Sequence, residues 1–244
     1  MRRLLELALV LVLIGSAASA CAGEIIDRIV ATVNGRAILQ SDWEIAIRCE
    51  ALMQGRPLES LTDDDQRATL ERLIDQELLR QQMGKTIPGP SAEELAARIQ
   101  QVRSSIPGGQ NDDVWRAALT SHGLTESDVA ERIAAQMQIG GFIDNRLRPG
   151  IHIESQAIQA YYREKFLPEL RKTGVTTEPR LGEVAARIRE ILIQQRMSAE
   201  LSTWLRSLRE QADIRTSPST TPAARPPDAK GGWKSPDGPG ASGR

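Results

Sequence analysis

The stretch from Ile26 to Glu44, IDRIVATVNGRAILQSDWE, constrains the fold more than any other, because it sets a tight turn and a helix start a few residues apart. Asn34-Gly35 lies between the β-branched run Ile29 to Val33 and the run Arg36 to Leu39. Asn-Gly is the pair that best tolerates the positive φ angles of a two-residue hairpin turn. Ser41 with Glu44 three residues on reads as a capping box: the serine oxygen accepts from the N3 amide and the glutamate reaches back to the N-cap amide. A helix is therefore expected to begin at Asp42, directly after the hairpin.

From there the apolar period is helical. Trp43, Ala46, Ile47, Ala51 and Met53 make a first face, closed by Gly55 and Pro57. Thr62 followed by Asp63, Asp64 and Asp65 starts the next helix, with the acids at the positive end of its dipole. This run is not a calcium loop, since alternating oxygen ligands and a glycine bend do not follow. Leu70, Leu73, Ile74, Leu78 and Leu79 carry a face broad enough to be buried on more than one side, up to Met83-Gly84. Ser91 and Glu94 form a second capping box, with Leu95, Ile99 and Val102 inward, and Ile106-Pro107-Gly108-Gly109 stops that helix. The glycine pair reads as a hinge. It lacks the preceding strand and following Lys-Ser or Lys-Thr of a nucleotide loop.

Asp112 or Asp113 is expected to cap a helix carrying Val114, Trp115 and Leu119 and ending at His122-Gly123. Thr125 to Asp128 caps a long one through Val129, Ile133, Met137 and Ile143, broken by Arg148-Pro149-Gly150. Pro179 stands at the first turn of a terminal helix with Val184, Ile188, Ile191, Leu192, Leu201, Trp204, Leu205 and Leu208. Ala212 to Thr216 can then extend as a strand. A lone two-stranded hairpin is marginal in water, so the hairpin needs a third strand or a helix to cover it.

Both ends of the 244-residue chain are poor material for a core. Residues 1–20 carry Arg2 and Arg3, an apolar run from Leu7 to Ile14 and small residues at Ala18 and Ala20, the pattern of a cleaved export signal. Cleavage before Cys21 would leave the N-terminal cysteine of a lipoprotein, with alanine where the lipobox prefers leucine. Cleavage after Ala22 would instead release a protein beginning at Gly23. Residues 217–244 are dominated by Pro, Gly, Ser, Thr and Ala and are expected to be disordered, with Trp233 an isolated aromatic.

Little in the chain suggests chemistry. The 31 basic and 32 acidic residues nearly balance, which argues against a nucleic-acid partner. Cys49 and Cys21 cannot supply a disulfide framework or a Cys-rich zinc site, and Cys49 reads as ordinary helix packing. His122 and His152 have no partner motif, and G-x-S-x-G, H-E-x-x-H and C-x-x-C do not occur. No catalytic residue, metal or cofactor is expected. The charged neighbours Glu71, Arg72 and Asp75, and Glu183, Arg187, Arg189 and Glu190, read as solvated helix faces.

Two blocks resemble the SurA family of periplasmic chaperones. Ile26-Asp27-Arg28-Ile29-Val30-Ala31, Val33-Asn34-Gly35, Ile38 and Ser41-Asp42 match its opening segment, and Leu70 to Leu79 matches its "L--LIdq-Ll" helix. Ile151-His152-Ile153, Ile158, Tyr161, Tyr162 and Phe166 resemble the segment that in relatives leads into a parvulin-type prolyl isomerase domain. Here Phe166 and Pro179 are too close for one, since independent domains usually need at least about fifty residues.

The resemblance implies a mainly α fold: a SurA N-terminal-type helical module at residues 24–166, a linker at 167–178 in place of the parvulin domain, and a C-terminal helix and strand at 179–216 returning to complete a small sheet. It further implies an ATP-independent periplasmic chaperone for unfolded or nascent envelope proteins, membrane-attached only if Cys21 is lipidated. The alternatives are a prolyl isomerase of the same group and a partner-specific assembly adaptor. An apolar surplus beyond what the core can bury would suit peptide binding. Trp43, Met53, Met83, Trp115 and Met137 are the candidate client-binding residues, since thioethers and flat rings adapt to varied apolar partners.

Overall fold

The computed structural model of the chain describes residues 27–84, 88–172 and 178–217. The expected signal with Cys21, and the tail with Trp233, lie outside those residues. Strands β1 (Ile29–Val33) and β2 (Arg36–Leu39) pair antiparallel through the expected turn, in which Asn34 and Gly35 take φ of 52° and 79°. Two successive positive values give the turn whose twist matches that of the strands it joins. The third strand, β3 (Ile214–Thr216), pairs antiparallel with the other edge of β1, so the sheet order is β2-β1-β3. Asn34 fastens this return. Its N–H donates to Asp213 O at 2.8 Å and its Oδ1 accepts from the Asp213 N–H at 2.9 Å.

The rest is helical. Helices α1 (Gln40–Met53), α2 (Asp63–Met83), α3 (Ala92–Ser105), α4 (Asp112–Ser121) and α5 (Glu126–Leu147) precede a short α6 (Ser155–Tyr161). A π-turn at Tyr162–Phe166 continues into α7 (Leu167–Lys172), and the long α8 (Leu181–Gln211) closes the molecule. Capping boxes form at Thr62/Asp65, Ser91/Glu94 and Thr125/Asp128.

Several local expectations need correction. Helix α1 begins at Gln40, two residues early, because β2 runs into it without a loop; Ser41 is already inside the first turn. The Asp27 carboxylate does the capping from just before β1, accepting the Ser41 N–H at 3.2 Å and the Ser41 hydroxyl, and the hydroxyl bond holds that carboxyl below its usual range. Glu44 instead accepts from Gln40 Nε2 at 2.8 Å and Arg48 Nη2 at 3.0 Å. Asn111, not Asp112 or Asp113, caps α4, its Oδ1 taking the N–H groups of Asp113 and Val114. Pro179 precedes α8, which starts at Leu181, and its carbonyl accepts from the Tyr162 hydroxyl at 2.7 Å. Within the expected linker, Leu167–Lys172 is helical.

Three apolar clusters hold these elements. The first joins the sheet to α1 and α2 through Val30, Val33, Trp43, Ala46, Leu70 and Ile74, with Leu208, Ala212 and Ile214 packed against it. The second gathers α1, α3, α4 and α5 around Trp115, Leu52, Leu119 and Ile133. The third sets Leu79 and Met83 of α2 against Ile139 and Phe142 of α5 and Leu201, Trp204 and Leu205 of α8. Helix α2 therefore serves two clusters, as the breadth of its apolar face requires.

Charged neighbours that read as solvated faces also join helices. Arg209 of α8 donates to Asp75 Oδ1 and Glu71 Oε2 of α2, both at 2.6 Å. Arg72 pairs with Glu50 of α1, which also accepts the Thr69 hydroxyl at 2.7 Å. Arg148 forks onto Glu190 at 3.0 and 3.1 Å.

Candidate functional site

The five candidate side chains do not converge on one surface. Trp43, 1% exposed, belongs to the first cluster and donates its Nε1 hydrogen to Gln66 O at 3.0 Å. Met83 is buried in the third. Trp115 is buried in the second, where Met53 and Met137 are half-buried against it. Among the described residues the exposed large apolar side chains are Ile29 and Val114 alone, so the expected surplus does not form an open patch. Stripes at helical spacing went into the core because three helices meet at most of them.

One of the five does border a concavity. Trp115 forms part of a groove of about 390 Å³ between α3, α4 and α5, lined further by Ala96, Ile99, Arg103, Val129 and Ala130. The groove exists because α3 packs on α5 while a tight turn joins it to α4. Gly108 takes φ +74°, and a Cβ at Gly109 would stand 2.3 Å from Arg103 O, so only glycine closes the turn.

Arg103 then locks it. Its Nε donates to Gly109 O at 2.9 Å and its Nη2 to Gln110 O at 3.2 Å and Asp112 Oδ1 at 2.6 Å, while the guanidinium lies 5.7 Å from the Trp115 ring centroid. The arginine holds the Asp112 carboxyl below its ordinary range. Trp115 Nε1–H is taken by Glu126 Oε1 at 3.0 Å, which fixes the indole on the opposite wall. A cation over an indole face and a satisfied ring N–H make a rigid, largely apolar floor with a polar rim.

The α3 wall is lightly anchored. Val102 is its one buried apolar residue, with Leu95 and Ile99 half-buried. A helix with so few buried contacts opens at low cost compared with the core. Arg103 and Ala96 were not singled out from the sequence, and Ile99 only as one of three inward positions of an ordinary polar helix; only the tight turn at Gly109 makes them a wall.

The two histidines have structural places. His122 ties the end of α4 to the chain after α1, with Nε2 3.0 Å from Arg56 O and Nδ1 2.8 Å from Ala118 O. His152 is exposed between α5 and α6. Cys49 is buried, and that burial pushes its thiol up to about 11, away from reactivity. Among the described residues no group of His, Cys, Asp and Glu is placed to hold a metal ion, and no helix is long and apolar enough to cross a membrane.

Compared with known protein families, residues 3–142, more than half of the chain, match the SurA-like N-terminal domain. A comparison with curated proteins gave no match.

Proposed function

Since the chain belongs to the family of SurA-like N-terminal domains, we propose that it is an ATP-independent chaperone of the bacterial cell envelope, which holds unfolded exported or outer-membrane proteins and has no prolyl isomerase domain of its own. The observation that carries the reading beyond the family is the Trp115 groove. It is shallow, mainly apolar and edged by Gln100, Arg103, Glu126 and Ser127, a lining that suits varied apolar segments better than one specific ligand. Its thin α3 wall can give way to segments of different size. Holding of this kind needs no nucleotide: it lowers the free concentration of aggregation-prone chains by mass action.

Light scattering from a denatured outer-membrane protein tests this. A stoichiometric amount of the wild-type protein suppresses the scattering, and Ala96→Glu, which puts a charge on the groove wall, weakens the suppression. Unchanged aggregation together with the absence of a client complex would sink the proposal. Refolding of a proline-limited substrate addresses the noncatalytic part, since acceleration at catalytic protein concentrations would replace it with an isomerase. The envelope location rests on the signal pattern in residues 1–20. The mass of the mature N-terminus distinguishes a lipidated Cys21 from a chain beginning at Gly23.

A further inference from the structure

A second concavity, about 240 Å³, is lined by other residues of α5 than the groove, where β2 and α1 meet α2 and α5. Ala37 and Ile38 both line it. Successive strand residues point to opposite faces, so a cavity that touches both runs along the strand's edge rather than under one face. Among the described residues that edge pairs with no other strand, because β2 is the outer strand of the sheet.

The pairing register says which backbone groups it offers. Val33 faces Arg36 across the turn, Thr32 faces Ala37, and Ala31 faces Ile38. In an antiparallel ladder, opposed pairs alternate between bonding each other and bonding outward. Val30, Thr32 and Asn34 are the β1 positions turned towards β3, as the bonds from Asn34 N to Asp213 O and from Ser217 N to Val30 O require. Val33 and Ala31 therefore bond Arg36 and Ile38. The N–H and C=O of exposed Ala37 point away from the sheet.

The recess has its own charge pattern. Asp42, Asp128 and Glu131 line it, and among the described residues none of the three pairs with a cation: Asp128 caps α5 through Thr125, and Glu131 accepts only from the Ser127 hydroxyl. Arg80 is taken by Glu77. Arg132, whose side chain is 10% exposed, also lines the recess; its Nη1 donates to Gln76 at 2.9 Å and its Nη2 lies 3.8 Å from Glu50 Oε1, an ion pair without a hydrogen bond, so among the described residues its Nε and Nη2 hydrogens are not hydrogen-bonded. Buried donors left without a hydrogen bond are rare, and an acceptor brought to them is favourable.

We propose that the β2 edge and this recess dock an extended, lysine- or arginine-bearing segment of an unfolded polypeptide, added as a fourth strand beside Ala37. The segment's main chain exchanges hydrogen bonds with the Ala37 N–H and C=O and brings carbonyl oxygens towards the Arg132 guanidinium. Its basic side chains meet Asp42 and Glu131. Main-chain bonds make such a site tolerant of sequence while charge gives it a preference. This rests on the reading of the protein as a holder of unfolded chains, and gives that holder a second, polar foothold apart from the Trp115 groove.

Fluorescence anisotropy with a short unstructured peptide of valine, serine and lysine, and the same peptide with glutamate for lysine, tests it. The wild-type protein is expected to bind the lysine peptide about tenfold more tightly than the glutamate peptide. Asp42→Asn with Glu131→Gln removes that preference. Ala37→Pro deletes the outward donor without touching a bond to β1, and it loses binding of the lysine peptide. Should Ala37→Pro not fold, amide exchange in the wild-type protein decides: saturating lysine peptide slows exchange of the Ala37 N–H. Equal affinity for the two peptides, or an Ala37 amide that exchanges as fast with peptide as without, overturns the inference. If either occurs while the wild-type protein still suppresses aggregation, the chaperone reading stands and only the strand site is lost.

Discussion

At the scale of single residues, Gly109 and Cys49 lead to measurements. A methyl group at position 109 would collide with the Arg103 carbonyl and come within 3.1 Å of Ile106 Cβ, so the α3–α4 turn must open to accept it. Gly109→Ala is expected to cost about 1–3 kcal/mol in urea unfolding, the range for overpacking a closed site, and to speed amide exchange in α3 before the rest of the molecule. Burial raises the Cys49 thiol to about 11, above about 8.5 for an exposed thiol. A raised value stabilises the fold fully below the unfolded value, and that contribution is lost as pH climbs from there towards about 11. In a Cys21→Ser protein, Cys49 is therefore expected to stay inert to a thiol reagent at about pH 8 until denaturant is added. Reaction of the native protein at the rate of the unfolded one would show the site to be open.

At the scale of elements, the Arg209 clasp is what the sequence could not announce. Arg209 meets Glu71 and Asp75 across 138 and 134 residues, and no local spacing encodes that meeting. Its fork engages two carboxylates and the Glu71 carbonyl, a geometry lysine cannot copy. With the side chain one third exposed, screening limits the loss for Arg209→Ala to about 1 kcal/mol, and Arg209→Lys should recover only part of it. A double-mutant cycle with Glu71→Gln checks the coupling. By contrast, the hairpin, the Ser91/Glu94 capping box and the helix starts at Thr62 and Thr125 were legible, because they rest on local signals, while the marginality of a lone hairpin asked for a cover and the resemblance named the returning strand. The helix start at Gln40 was not, since its cap comes from Asp27, which precedes β1. The groove escaped for a similar reason: Trp115 was visible as an apolar anchor, but its walls depend on the packing of α3 on α5 and on the turn that one glycine allows.

At the scale of the whole molecule, the first core cluster is built from both ends of the folded chain: Val30, Val33 and Trp43 from one, Leu208, Ala212 and Ile214 from the other. Ending the chain after Gln211 removes β3 and bares an edge of β1. The truncated protein is expected to melt lower, by about 2–4 °C for each kcal/mol lost in a molecule of this size, with the hairpin and the α8 end losing structure together. A hairpin signal that survives the melting of α8 would contradict that shared core. The position of β3 also sets an order of events. A chain made or threaded N-terminus first presents β1 and β2 early, but Arg215, the partner of Thr32, follows more than 180 residues later. Closing so long a loop is slow, because its entropy is spent before the contact repays it. Until Ile214–Thr216 has been made, the molecule thus carries an unfinished sheet, and it depends on that strand to stop being the kind of chain it is proposed to hold.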